Sequence, residues 1–187
     1  MEWISSSAFS GCNNLISVVI GNGIRSVNYA AFKECNNLTS IEYTGTIDQW
    51  AQIDFTYQYS NPLRYAKNLY VNGELVTEAK ITSSTKINNG AFSDYASLTS
   101  VTIGNSVTAI GNHAFYNCSS LTNLMMSNSV TSIGDYSFCN CKSLTKITYL
   151  GTKKEAMKLG IGNRSKKRWR EGSAISKIIC TDGEILL

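Results

Sequence analysis

Proline is nearly missing from this chain of 187 residues, with Pro62 as the one example, and that argues against a disordered linker protein. Charge is sparse too. Only 16% of residues are Asp, Glu, Lys or Arg against 43% hydrophobic, so the composition can bury a core. No run of about 18 apolar residues is present, which excludes a membrane-spanning helix. The opening MEWISSSAF lacks the basic segment and apolar stretch of a secretory signal. Histidine is limited to His113, placed in a turn and expected to be solvated. There is no nucleophile-elbow motif and no glycine-rich phosphate loop after a strand, and the acids are scattered singly. No catalytic set can be assembled, so the chain is read as non-enzymatic and without cofactor. The net charge of +4 comes from one run, Arg164, Lys166, Lys167, Arg168 and Arg170. A nucleic-acid footprint over the whole surface is thereby excluded.

What the sequence does have is self-similarity. Phe9 and Phe32 are 23 residues apart, as are Phe92, Phe115 and Phe138 in succession; of the phenylalanines only Phe55 falls outside this register. The same step links Leu15 to Leu38, Leu98 to Leu121 to Leu144, and Val101 to Leu124 to Ile147. Five copies share the unit I-x-x-x-A-F-x-x-C-x-x-L-x-x-V-x-I. Its closing V-x-I has the period of a strand with one buried face. The small-large pair before it, such as Ala91-Phe92, leaves room for rings to stack from coil to coil. One unit cannot bury its own apolar face, but a stack can, so a mainly β repeat solenoid is expected.

The register stops twice, after Ile41-Glu42-Tyr43-Thr44-Gly45-Thr46 and after Ile147-Thr148-Tyr149-Leu150-Gly151-Thr152. Short helical patterns follow, and each interruption ends on an apolar stretch around Asn72-Gly73 or Asp182-Gly183, a hairpin signal. A single domain over 1–187 is expected, with repeats at 4–43 and 81–149, an insert at 44–80 bulging from the solenoid, and a carboxy-terminal cap at 150–187.

The repeat unit, Y-x-G-T with its insert, and the closing N-G-E-L-V and C-T-D-G-E-I together resemble the BspA-like leucine-rich repeat proteins. The resemblance covers practically the whole chain. It implies a right-handed superhelix of 23-residue coils with short helical inserts. It also implies a bacterial secreted or cell-surface protein, some relatives being adhesins that bind host matrix proteins or other bacteria. Tyr95 departs from the pattern where the repeat has cysteine, and Ser137 where it has alanine. The chain starts inside a repeat, so a longer parent protein is expected, and the uncovered amino-terminal coil is expected to pair with another chain or be covered by Trp3.

Cys12, Cys35, Cys118 and Cys141 share one repeat position and read as small buried hydrophobes with free thiols. Cys139-x-Cys141 lacks the spacing of a zinc ribbon, so no metal site is assigned. The candidate ligand-binding face is the outward side of the strands. There Val19, Glu42, Ser100, Thr102, Asn123, Met125, Lys146 and Thr148, with Ser17 and Ser40, are expected to form adjoining rows on one sheet. Val19 and Met125 are apolar where water is expected. Recognition of a protein or glycan partner through that face and the insert is the leading reading. A structural spacer without a ligand is the alternative, and a second is polyanion binding through Arg164, Lys166, Lys167, Arg168, Trp169 and Arg170. The same run also reads as a solvated loop anchored by Trp169 on the last coil. Three N-glycosylation patterns occur, at Asn37, Asn117 and Asn163; in the first two the middle residue belongs to the core ladder.

Overall fold

The computed structural model describes residues 2–57, 59–161 and 168–187. The first coil carries β1 (Trp3–Ile4) and β2 (Ser17–Ile20), and the second β3 (Ser26–Val27) and β4 (Ser40–Tyr43). Helix α1 (Ile47–Ala51), β5 (Asp54–Phe55), helix α2 (Leu63–Ala66), β6 (Asn68–Val71) and β7 (Glu74–Leu75) follow. The next coils bring β8 (Glu78–Ile81), β9 (Lys86–Ile87), β10 (Ser100–Ile103), β11 (Ala109–Ile110), β12 (Asn123–Met126), β13 (Ser132–Ile133) and β14 (Lys146–Tyr149). Helix α3 (Lys153–Lys158) and the hairpin β15 (Lys177–Cys180) and β16 (Gly183–Leu186) close the described chain.

Strand pairing follows the repeat. Ser100 lies opposite Asn123 and Ala109 opposite Ser132, in parallel ladders. Along β10 the side chains of Val101 and Ile103 are fully buried while Ser100 and Thr102 are half-exposed, as the period of two requires. On the turn side, Phe9, Phe92 and Phe115 donate their backbone N–H groups to the coil that follows, at Ala31, Ala114 and Ser137. The rings stack in line, with centroids 5.3 Å apart from Phe92 to Phe115 and again from Phe115 to Phe138. Phe9 and Phe32 stack at 5.1 Å, although Phe9 is only partly buried.

The thiols have a further role that packing alone does not give. Cys35, Cys118 and Cys141 each donate Sγ–H to the carbonyl of the phenylalanine one coil earlier, Phe9, Phe92 and Phe115, at 3.0 to 3.1 Å. Cys12 is exposed instead of buried, because no described coil lies beneath it.

The segment 44–80 is not a bulge. It is a coil in its own right: β6 pairs in parallel with β4, Glu42 opposite Tyr70, and β5 continues the minor ladder beside β3, Val27 opposite Phe55. Capping boxes start α1 and α3 alike, Thr46 with Gln49 and Thr152 with Glu155. The antiparallel strand β7 then ends the first sheet, β2-β4-β6-β7, and β8 opens a second, β8-β10-β12-β14-β15-β16. Within the second, β16 plays the part of β7, and Trp169 covers the last phenylalanine edge-on, 6.1 Å from Phe138. Trp169 is therefore the anchor expected of it.

Candidate functional site

The outward strand residues divide between the two sheets. Val19 and Glu42 share the first sheet with Tyr70 and Leu75, which continue their row. Ser100, Thr102, Asn123, Met125, Lys146 and Thr148 belong to the second. The expectation of one continuous face is corrected by the β6–β7 hairpin, whose antiparallel strand closes the first sheet before β8 begins. Glu42 is also committed elsewhere, since its carboxylate accepts the Gly73 N–H at 3.0 Å and so fastens the hairpin turn.

On the second sheet one row runs Lys80, Thr102, Met125, Thr148, Ile179, Glu184. Met125 is 37% exposed, and Ile179 is half-exposed beyond Thr148. In the adjoining row the Asn123 side-chain amide donates to the Ser100 hydroxyl at 3.2 Å, and an exposed ion pair joins Lys177 to Glu184 at 3.1 Å. The face thus offers two apolar side chains among small polar ones, with charge along its carboxy-terminal side. It holds no nucleophile beside a base, and among the described residues no cluster of three His, Cys, Asp or Glu side chains is placed to hold a metal ion.

Arg164, Lys166 and Lys167 lie outside the described residues, as does Asn163. Of the basic run, Arg168 pairs with Asp135 at 3.7 Å and Arg170 lies over the Trp169 ring while donating to the Ile175 carbonyl. Both described arginines are engaged with the protein itself. Asn37 and Asn117 likewise use their amides, on the Asn13 carbonyl and the Asp94 carboxylate, with Leu38 and Cys118 buried between the pattern residues.

A family profile described as "BspA type Leucine rich repeat region (6 copies)" matches residues 1–76 and 64–158. The chain belongs to the BspA-type leucine-rich repeat family. No curated protein matches it. Among solved structures it is similar to the leucine rich repeat protein of T. pallidum at 22% identity, covering 79% of this chain and 52% of that one, with a TM-score of 0.35. A leucine rich cell surface protein from Faecalibacterium prausnitzii is 17% identical over 98% of this chain and 70% of its own, with a TM-score of 0.49. A leucine-rich repeat protein from Bacteroides ovatus is also 17% identical, over 97% and 59%, with a TM-score of 0.33. The chain spans about half the length of the first of these.

Within this BspA-type stack the residues that sequence reasoning missed come from the capping coils. Tyr70 and Ile179 sit in no repeat register, yet β6 and β15 bring them level with Glu42 and Thr148. The alternating apolar stretches around each hairpin signal carried that information. His113 is also corrected: it is half-buried instead of solvated, stacked on Tyr136 at 5.1 Å and tilted against Tyr116. Burial lowers its pKa below the ordinary 6.5, and nearby Asp135 offsets this only in part.

Proposed function

We propose that this chain is a non-enzymatic recognition module of a bacterial cell-surface or secreted protein, of the adhesin kind, which holds a protein or glycan partner on the outer face of its second sheet. The coils are taken as right-handed and built on the 23-residue step, since parallel crossover connections nearly always have that hand. A solenoid is a scaffold, so function must come from side chains set on it. The observation that carries the reading is the row in which Met125 and Ile179 flank Thr148. An unbranched thioether is an adaptable contact, and small neighbours at Ser100, Thr102 and Asn123 let a partner approach closely. Lys146 and the Lys177–Glu184 pair set orientation at the rim, where charges steer more than they bind.

The test uses purified host matrix proteins and intact bacterial cells as immobilised probes. Binding by the wild-type chain that falls about tenfold in Met125→Asp, with an unchanged melting temperature, supports the reading. Binding unaffected by that change moves the site off this face. The rival, a spacer that only holds other domains away from the cell, is favoured by the small polar character of most outward residues, and it predicts that no probe is retained.

A further inference from the structure

The coil made by residues 44–80 does more than extend the first sheet. Between its β5–α2 connection and the turns of the two coils that follow lies a cavity of about 430 Å³, with Tyr57, Asn61, Asn89, Ser93, Asn112 and His113 on its walls. Asn61 holds the two sides together. It is buried, its amide donates to the Gly90 and Ala91 carbonyls at 2.7 and 3.2 Å, and its Oδ1 accepts the Leu63 N–H. The site is therefore preformed rather than a gap between moving parts.

Both aromatic walls are braced from behind. Tyr57, 60% exposed, meets Tyr29 edge-on at 5.3 Å, and His113 stacks on Tyr136 at 5.1 Å. His113 is held there by a left-handed backbone, φ 57°, the turn conformation that Ser7, Ala30, Gly90 and Tyr136 share at the same repeat position. The asparagines form a ladder along the coils. Asn89 Oδ1 accepts the Asn112 N–H at 2.9 Å, and Asn112 Oδ1 accepts the Asp135 N–H at 2.8 Å. This fixes the Asn112 side chain and leaves its Nδ2, among the described residues, without a partner.

The lining selects by what it lacks as well. Among the described residues no Lys, Arg, Asp or Glu side chain lines the cavity, so neither an anion nor a cation is complemented by them. Burial also favours the neutral imidazole of His113, which presents one donor and one acceptor. The wall mixes apolar surface from Phe55 and Tyr57 with the amides and hydroxyls of Asn61, Asn89, Ser93 and Asn112, and a wholly apolar guest would leave polar groups there unpaired. The chemistry that remains is a neutral molecule with hydroxyls around its edge and C–H groups on its faces.

We propose that this cavity binds a neutral sugar residue of a glycan, with one face of the sugar ring on Tyr57 and its hydroxyls on the Asn112 amide and the His113 imidazole. The proposal rests on the reading of the chain as a recognition module but not on the sheet face. Its test is an array of neutral oligosaccharides, including glucans, mannans, galactans and N-acetylglucosamine oligomers, followed by titration calorimetry with the strongest binder. Binding is expected to be nearly equal at about 0.05 and 0.5 M salt. Tyr57→Ala and Asn112→Asp, the latter keeping the Oδ1 acceptor, should each weaken it about tenfold at unchanged melting temperature, while Met125→Asp leaves it intact. Retention of affinity in both cavity variants, or binding only of acidic glycans that salt abolishes, would overturn it. So would an array with no neutral glycan bound; a matrix protein that is lost in Met125→Asp would then leave the sheet-face reading standing alone.

Discussion

The Tyr95 hydroxyl accepts the backbone N–H of Leu69 at 3.2 Å and donates to the Val76 carbonyl. It stands at the repeat position from which Cys35, Cys118 and Cys141 reach the carbonyl of the phenylalanine one coil earlier. Under Tyr95 the preceding coil is the one that ends in the β6–β7 hairpin, and a longer side chain is needed to reach Leu69 in β6 and Val76 just after β7. Tyr95→Phe leaves those buried groups unpaired and should cost about 1–3 kcal/mol; Tyr95→Cys, which restores the repeat residue, should cost more by adding a cavity. Urea unfolding checks both, and a cysteine variant as stable as the wild type would show that the hydroxyl is dispensable.

The same burial gives a pH signature. Desolvation pushes the Tyr95 pKa from 10.0 up to about 12, so between these values the unfolded chain ionises while the folded one does not. The contribution is full below pH 10.0 and is lost as pH rises toward about 12. Alkaline melting temperatures should fall over that window, and less steeply in Tyr95→Phe. Burial raises Tyr43 and Tyr149 as well, so the variant flattens the curve without levelling it.

Phe115 is fully buried between two stacked rings, with Phe92 and Phe138 each 5.3 Å away on either side. Phe115→Ala should cost about 3–5 kcal/mol. Phe9→Ala should cost clearly less, because Phe9 has a ring neighbour only in Phe32 and is partly exposed. Equal losses in chemical denaturation would contradict the nearest-neighbour account of the stack.

How far these features could be read from sequence depends on how local their cause is. The phenylalanine ladder and the buried strand positions follow from spacing, because a coil stacked on its own copy repeats each contact. Asn68 to Val71 carries no repeat spacing; the apolar stretch before the Asn72-Gly73 turn signals a strand, but not that it pairs with β4 in the first sheet. The Asn72-Gly73 turn marks a hairpin, but its consequence, a sheet that ends and another that begins, is a matter of which strand finds an edge. The cavity between Tyr57, Asn89 and His113 joins segments that no motif links. Those residues are individually ordinary, and only the fold makes them neighbours.

The thiols separate by exposure. All six cysteines are free, and Cys12 alone is exposed. Burial raises the others, Cys118 well above the ordinary 9.0 and Cys141 up to about 12, which suppresses the reactive thiolate. A thiol reagent near neutral pH should modify one group quickly in the native protein and the remaining five only on denaturation. Rapid native modification of several groups would mean that the ladder opens readily.

The two capping coils look alike but meet different neighbours, and α1 shows the difference. Asp48 Oδ1 accepts three backbone N–H groups, from Thr82, Ser83 and Ser84, each at 2.9 Å, and the Trp50 indole donates to the Ala91 carbonyl at 2.8 Å. Counted from the capping threonines Thr46 and Thr152, the matching residues on α3 are Lys154 and Ala156. Asp48 and Trp50 therefore fasten the first block of coils to the second, whereas α3 presents a lysine where α1 presents a carboxylate. Hydrogen bonds to a charged acceptor are worth about 1.5–3 kcal/mol each, though three on one oxygen compete. Asp48→Ala should weaken the junction by at least that much, while Lys154→Ala changes stability by less than about 0.5 kcal/mol. In a stack held by nearest-neighbour contacts, a weakened junction lets each block unfold separately. Tryptophan fluorescence and far-ultraviolet dichroism should thus trace one urea transition in the wild type and two displaced ones in Asp48→Ala. Coincident transitions with an unmoved midpoint would show that the three bonds are replaced by water at no cost, and that the remaining ties, Trp50, Asn61 and Tyr95 among them, hold the blocks together.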